Sequence, residues 1–289
     1  MHQADKRVHL VECPRDAMQG LKQMVPTEQK IRYLNLLLDC GFHTLDCGSF
    51  VSATAVPQLA DTGEVLQGIN QHGTLDANLL VIVGNVRGAM EAARFPGVKY
   101  LGFPLSVSEQ FQQRNTNATR REAFERLKEI HGIAQESGRE CVVYLSMGFG
   151  NPFGDPYSVQ EVMDWAANLV HAGFRIISLS DTIGSAKEED IDTLFSALIP
   201  AFPGVEFGAH LHSVPGTWHG KVQIALDAGC RRFDGALRGF GGCPFAMDQL
   251  TGNLPTETLI EFLDQNGWET GIDRTALSQA LAFAPEIFK

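Results

Sequence analysis

The feature that most constrains this chain is a regular alternation of short apolar runs with stretches of helical spacing. Residues 7–12, 43–47, 78–83, 98–103, 140–145, 175–179, 205–212 and 232–237 read as strands. They are rich in Val, Ile and Leu, as parallel strands covered on both faces should be. Between them, residues 27–40, parts of 56–69, and 85–94, 121–137, 159–172, 188–199 and 218–228 repeat apolar residues at helical intervals. Gly41, Gly173 and Gly229 stand where three of these helices should stop. Residues 256–266 and 275–287 predict two closing helices. Eight strand–helix units within 289 residues predict one α/β domain over residues 1–289, a (β/α)8 TIM barrel with C-terminal closing helices. The competing architecture, an open doubly wound sheet, usually carries a glycine-rich phosphate turn after its first strand. Here that turn is Cys13-Pro14-Arg15-Asp16.

Charge and cysteine usage narrow the function. The formal net charge of −11 argues against nucleic acid, which needs a basic footprint, and against an anionic membrane surface. No apolar run approaches the roughly 20 residues of a membrane helix. The first residues lack the apolar core of a signal peptide, so none is expected. The six cysteines (13, 40, 47, 141, 230 and 243) show no paired spacing, which predicts free thiols in a reducing, cytoplasmic setting.

A barrel of this kind builds its active site where strands end and the following loops begin. The residues at those ends are Arg15 and Asp16, Asp46 and Ser49, Ser178 and Asp181, His210 and His212. After the last strand come Gly239-Phe240-Gly241-Gly242-Cys243-Pro244 and Gly252-Asn253. His210 and His212 are two apart in a strand, so both imidazoles face one way and are able to bind a divalent metal. Each residue also has an ordinary structural role open to it. Neighbouring His side chains are often simply hydrogen-bonded, Arg15–Asp16 reads equally as an ion pair, Asp181 as a turn cap, and Cys243 as a small buried apolar residue. Their convergence on one end of the predicted barrel favours a site.

The motifs Pro14-Arg15-Asp16-Ala17-Met18-Gln19, Ser49-Phe50-Val51-Ser52, Ser178-Leu179-Ser180-Asp181-Thr182-Ile183-Gly184, His210-Leu211-His212, Gly239-Phe240-Gly241-Gly242-Cys243-Pro244 and Gly252-Asn253-Leu254 occur in this order. In that order and at similar separations they resemble the 3-hydroxy-3-methylglutaryl-CoA lyase family, over about residues 8–285. The resemblance implies a metal-dependent carbon–carbon lyase acting on a CoA ester. Asp16, His210, His212 and Asn253 would hold one Mg2+ or Mn2+, an oxygen-and-imidazole set that suits an octahedral ion. Arg15 would stabilise an enolate, Cys243 would donate a proton to it, and Asp181 or Asp46 would act as base. Gln19, Ser49 and Ser178 are expected to touch substrate, and a homo-oligomer, a dimer first, is the expected assembly.

The chain departs from the family pattern at several points. Ala17 replaces a glycine, Val11 replaces an acidic residue with Glu12 one step later, Asp46 replaces a glutamate, Ser180 a glycine and Ser213 an aspartate. These changes leave open a related lyase or aldolase acting on another 3-hydroxyacyl-CoA or 2-oxo acid, or a barrel that binds metal without turnover. A condensing synthase fits less well, because it would need a stronger base than Cys243.

Overall fold

Strand β1 (His9–Glu12) is followed at once by the short helix α1 (Pro14–Gln19), and after α2 (Thr27–Leu38) the chain enters β2 (Thr44–Phe50). The pattern continues through α3 (Thr62–Gly68), β3 (Asn78–Val83), α4 (Val86–Ala92), β4 (Val98–Ser106), α5 (Glu109–Thr116), α6 (Arg120–Glu136) and β5 (Glu140–Ser146). It ends with α7 (Val159–His171), β6 (Ile176–Asp181), α8 (Glu188–Ala201), β7 (Glu206–Ser213), α9 (His219–Asp227), β8 (Arg232–Gly235), β9 (Gly252–Asn253), α10 (Thr256–Gln265) and α11 (Arg274–Ile287). The structure, a computed structural model, describes residues 6–69, 77–242 and 251–288.

The first eight strands pair in parallel in sequence order, and β8 returns to β1 in register from His9↔Arg232 to Glu12↔Gly235. With β7 paired to both β6 and β8, the first eight strands close into a (β/α)8 barrel. Strand alternation divides the side chains into two sets. Leu79, Val81 and Val83 of β3 join the large core between strands and helices. Leu80 and Ile82 turn inward and meet Tyr100, Val142, Tyr144 and Ile176 inside the barrel. Burying each such side chain contributes roughly 1.5–3 kcal/mol, so a one-residue slip in any strand would exchange both cores at once.

Local sequence sets the helix starts. Thr119 and Glu122 form a capping box on α6: the Glu122 N–H donates to Thr119 Oγ1 at 3.2 Å, and the Thr119 N–H donates to Glu122 Oε2 at 2.8 Å. Ser158 caps α7 and Asn85 caps α4 through their side-chain oxygens.

The structure also adds elements. Residues 14–19 are helical, with Pro14 in the first turn where its missing N–H costs nothing. β4 runs through Pro104, in register with Tyr144, because the fixed φ of proline suits extended backbone. Helix α5 follows, capped by Ser108, where the periodicity gave no signal in so short a segment. The closing helices lie as expected, with α11 packed on α2 through Tyr33, Phe283 and Phe288.

Gly88 tests how tightly the helix ring sits on the barrel. A Cβ there would lie 2.3 Å from the backbone oxygen of Phe50. Alanine normally favours a helix over glycine by about 1 kcal/mol, but overpacking against an immovable carbonyl costs about 1–3 kcal/mol. Gly88→Ala should therefore lower the urea midpoint; an unchanged or raised midpoint would show that α4 is free to move off β2.

Candidate active site

Parity along the strands decides which side chains enter the barrel mouth. On β7, Phe207, Ala209 and Leu211 belong to the outer core, so Gly208, His210 and His212 face inward. On β8, Phe233 is outward, and Arg232 and Asp234 are inward. Helix α1 springs from the end of β1 and lays Arg15 and Asp16 across the same opening.

Arg15 is the centre of the arrangement. Its Nε lies 2.9 Å from Asp46 Oδ2 and its Nη2 lies 2.5 Å from the same oxygen. Nη1 donates to Asp16 Oδ1 at 3.1 Å and to Gln19 Oε1 at 3.0 Å. A guanidinium has five N–H groups; these contacts use four and leave one on Nη2. Gln19 Nε2 donates to Asp16 Oδ1 at 2.9 Å, and Asn253 Nδ2 donates to Asp16 Oδ2 at 2.8 Å. Asn253 arrives on β9, which runs antiparallel to β7 with Asn253 opposite His212.

Hydrogen bonds orient both histidines. His212 Nδ1 is 2.9 Å from the carbonyl oxygen of Thr182. That oxygen only accepts, so Nδ1 carries the proton and Nε2 presents a lone pair. Among the described residues, no hydrogen-bond partner reaches the buried His212 Nε2. His210 Nδ1 is 3.1 Å from Asp234 Oδ2, and the two rings lie 5.0 Å apart. One ligand atom each from Asp16, His210 and His212 falls within 4.8 Å of the others. An unpartnered imidazole nitrogen, a second oriented imidazole and a carboxylate fit a divalent cation, with the Asn253 amide beside Asp16 as a fourth donor group.

Electrostatics matches this geometry. Burial alone would raise Asp16, but Arg15, His212, His210 and the Asn253 N–H hold it down at about 2, so it is ionised at neutral pH. Burial raises Asp46 and outweighs Arg15, leaving it at about 6. Burial and the neighbouring His210 push His212 down to about 4. His210 is also disfavoured as a cation by burial, but Asp234 and Asp16 raise it.

Thus the structure brings Arg15, Asp16, Gln19, Asp46, His210, His212 and Asn253 together. Gln19 is occupied with Arg15 and Asp16. Ser49 is buried, and its hydroxyl bonds the carbonyl of Ile82 rather than this cluster. Ser178 pairs with Gly208, one inward layer below the Ser180–His210 rung, so it stands deeper than the cluster. Cys243 lies outside the described residues. Asp181 does not join: it shares the outward parity of Ile177 and Leu179 and meets Lys221 of α9, whose Nζ is 2.9 Å away. The base role expected for it meets that geometric obstacle. Asp234 also belongs to the site; in the sequence it sits within an apolar run, and only its inward parity on β8 marks it.

The HMGL-like family profile matches residues 8–283. The chain belongs to the HMGL-like family. The mouse mitochondrial hydroxymethylglutaryl-CoA lyase is 33% identical over 276 residues, covering 95% of this chain and 84% of the relative. The crystal structure of the HMG-CoA lyase from Brucella melitensis superposes with a TM-score of 0.90 at 33% identity, covering 97% of this chain and 98% of that one. An HMG-CoA lyase from A. baumannii, in complex with coenzyme A and 3-methylmalate, gives 0.90 at 31% identity, with 99% and 93% covered.

The Asp181–Lys221 pair yields a test. Lys221 Nζ also donates to the Gly184 carbonyl at 3.1 Å. Removing one partner of a buried ion pair costs about 3–5 kcal/mol, so Asp181→Ala should lose stability of that order in denaturant melts. Lys221→Met in the Asp181→Ala background should recover part of it. A stable Asp181→Ala enzyme with activity down a thousandfold would return Asp181 to the chemistry.

Proposed function

We propose that this protein is a divalent-metal-dependent carbon–carbon lyase that cleaves 3-hydroxy-3-methylglutaryl-CoA to acetyl-CoA and acetoacetate. The observation that carries the reading is the Asp16–His210–His212 cluster beside the Arg15 fork, at the mouth of a barrel of this family. The CoA ester as substrate is supported by the coenzyme A complex of the A. baumannii relative.

Asp16, His210, His212 and Asn253 would hold Mg2+ or Mn2+. Such an ion, when bound, lowers the pKa of a substrate hydroxyl and positions it. The protein's own residues supply the rest. The tertiary hydroxyl loses its proton, and its oxygen becomes the ketone of acetoacetate as the neighbouring C–C bond breaks. The bond's electron pair moves onto the thioester as an enolate. The unused N–H on Arg15 Nη2 is a donor for the enolate oxygen, held ready by Asp46, Asp16 and Gln19. Cys243, by its resemblance to the family motif, gives the enolate carbon its proton and so completes acetyl-CoA.

We assign the base role to Asp46 rather than Asp181, because Asp46 touches Arg15 and Asp181 faces the helices. At about 6, Asp46 is ionised at neutral pH and still basic enough to accept a proton. We also propose a homodimer working in the cytoplasm. Among the described cysteines Cys13, Cys40, Cys47, Cys141 and Cys230 are free and buried, and no described helix is long and apolar enough to cross a membrane.

A coupled assay for acetoacetate with Mg2+ or Mn2+ tests the reaction. Arg15→Met should lower kcat about 100-fold or more with little change in KM, the size of one lost oxyanion donor. His210→Ala should abolish metal uptake in equilibrium dialysis. Turnover of a different 3-hydroxyacyl-CoA or 2-oxo acid, with this CoA ester left intact, would replace the assigned substrate.

The assignment of Asp46 predicts a pH profile. A base must be deprotonated to work, so kcat/KM should fall as pH drops through about 6. Asp46→Glu should keep that acidic limb and most of the rate, whereas Asp46→Asn should lose 100-fold or more, the usual scale for a removed general base. An Asp46→Asn enzyme with near-normal kcat would remove Asp46 from proton transfer.

A further inference from the structure

One carboxyl group near the site has no part in this chemistry. Glu12 ends β1, is fully buried, and lies on the same outward face as Leu10. Its two oxygens reach beyond β8. The Leu237 backbone N–H donates to Oε1 at 2.9 Å, and Oε2 is 2.5 Å from Thr256 Oγ1. Leu237 and Thr256 bracket the segment that holds Gly239, Gly241, Gly242, Cys243 and Asn253. The backbone closes the same neck: the Ala236 N–H donates to the Leu254 carbonyl at 3.0 Å, and the Thr256 N–H to the Ala236 carbonyl at 3.2 Å.

A polar group is a costly occupant for such a place, and an apolar side chain would fill it more cheaply if packing were all that mattered. Burial pushes Glu12 up to about 8, against the pull of Thr256 and Leu237. At neutral pH it is therefore mostly uncharged, and its two oxygens accept from the Leu237 N–H and the Thr256 hydroxyl. What it adds over leucine is two hydrogen bonds of fixed direction. The tolerance at the other end of the loop is small. A Cβ on Gly241 would stand 2.8 Å from Ala17 Cα and 3.0 Å from the Asp16 carbonyl oxygen. The loop thus rests directly on α1, and a shift of about 1 Å separates Asn253 from Asp16.

We propose that Glu12 is a positioning residue for the loop after β8: by holding Leu237 and Thr256 to the end of β1, it sets where Asn253 stands against Asp16. The strand that leads into Arg15 and Asp16 thereby also fixes the loop that completes their site. The proposal rests on the lyase reading for its activity and metal readouts, but not for its measurement of loop mobility.

The test uses three variants of the full chain. Glu12→Gln keeps an oxygen for the Leu237 N–H and offers the Thr256 hydroxyl an amide N–H to accept instead, Glu12→Leu removes both contacts, and Thr256→Val removes one. Free Mn2+ is counted by electron paramagnetic resonance, loop mobility by hydrogen exchange, and kcat and KM with the CoA ester. Glu12→Leu should weaken Mn2+ binding about 10–100-fold, the usual effect of losing a group that orients a metal ligand. It should lower kcat about tenfold or more with KM changed less than about threefold, because only the loop's geometry moves. Exchange should accelerate in 237–242 and 251–256 and not in β3–β6. Thr256→Val should show the same pattern at smaller size, about threefold to tenfold in Mn2+ affinity, as expected for half the contact. Glu12→Gln should stay within about threefold of the parent throughout. If Glu12→Leu does not fold, Thr256→Val decides. Parental Mn2+ affinity and loop exchange in Thr256→Val, or in a folded Glu12→Leu, overturns the proposal, as does faster exchange spread evenly around the barrel. A parent protein that neither binds Mn2+ nor cleaves the ester defeats the lyase reading instead, and the exchange data then judge the clamp alone.

Discussion

The site depends on one buried cation. Parallel pairing of β1 with β2, Val11↔Thr44 and Glu12↔Leu45, brings the end of one strand beside Asp46 on the other. Arg15 then lies between two buried carboxylates and binds both. Without it, Asp16 and Asp46 would be like charges in a dry setting, and burial would favour protonation of both. With it, Asp16 stays ionised far below neutral pH and Asp46 reaches only about 6. Arginine suits this position because its planar fork grips Asp46 with two nitrogens while still reaching Asp16 and Gln19. A lysine could supply the charge but not the fork.

The two histidines differ in what orients them, and the difference follows from barrel register. Ser180↔His210 and Asp181↔Leu211 place Thr182, just past the end of β6, beside His212. Its backbone oxygen fixes one tautomer of that ring without adding charge. His210 instead meets a carboxylate, Asp234, from β8. A ring held by a carboxylate is more basic than one held by a carbonyl, which agrees with the opposite directions of their shifts. The pair therefore presents two nitrogens of unequal basicity to one opening.

Much of this arrangement was legible in the chain, for an identifiable reason. Period-two alternation in β7 is stated by Phe207, Ala209 and Leu211 against His210 and His212, and closure of a βα barrel then brings strand ends together whatever their separation in sequence. The same rule, applied to β6, places Asp181 outside: counting from the apolar Ile177 and Leu179 gives its parity. The Ser178–Gly184 motif signals chemistry by residue type, whereas facing is set by strand parity alone. Other features were beyond reach. The short helix α5 and the two-residue β9 are fixed by tertiary contacts, the Asp155 carboxylate receiving Ser108 and Gln110 in one case and the β7 edge in the other. Periodicity cannot register elements so short.

The departures from the family pattern also sort by facing. Val11 and Ser180 lie on the barrel's inner side, Ser180 in register with His210 and bonded to the Ser178 carbonyl. Ser213 pairs with Gly252 on β9, beside the loop that carries Asn253. Ala17 lies under Gly241 of that same loop. None of them displaces Arg15, Asp16, His210, His212 or Asn253 from its contacts. The charged cluster keeps its mutual contacts, while these four positions lie around it, on the inner barrel face and under the loop after β8. Glu12 fits this division. It shares the outward parity of Leu10 and turns toward Leu237 and Thr256. Val11 presents an apolar side chain to the interior, while the Glu12 carboxyl lies behind the strand against Leu237 and Thr256.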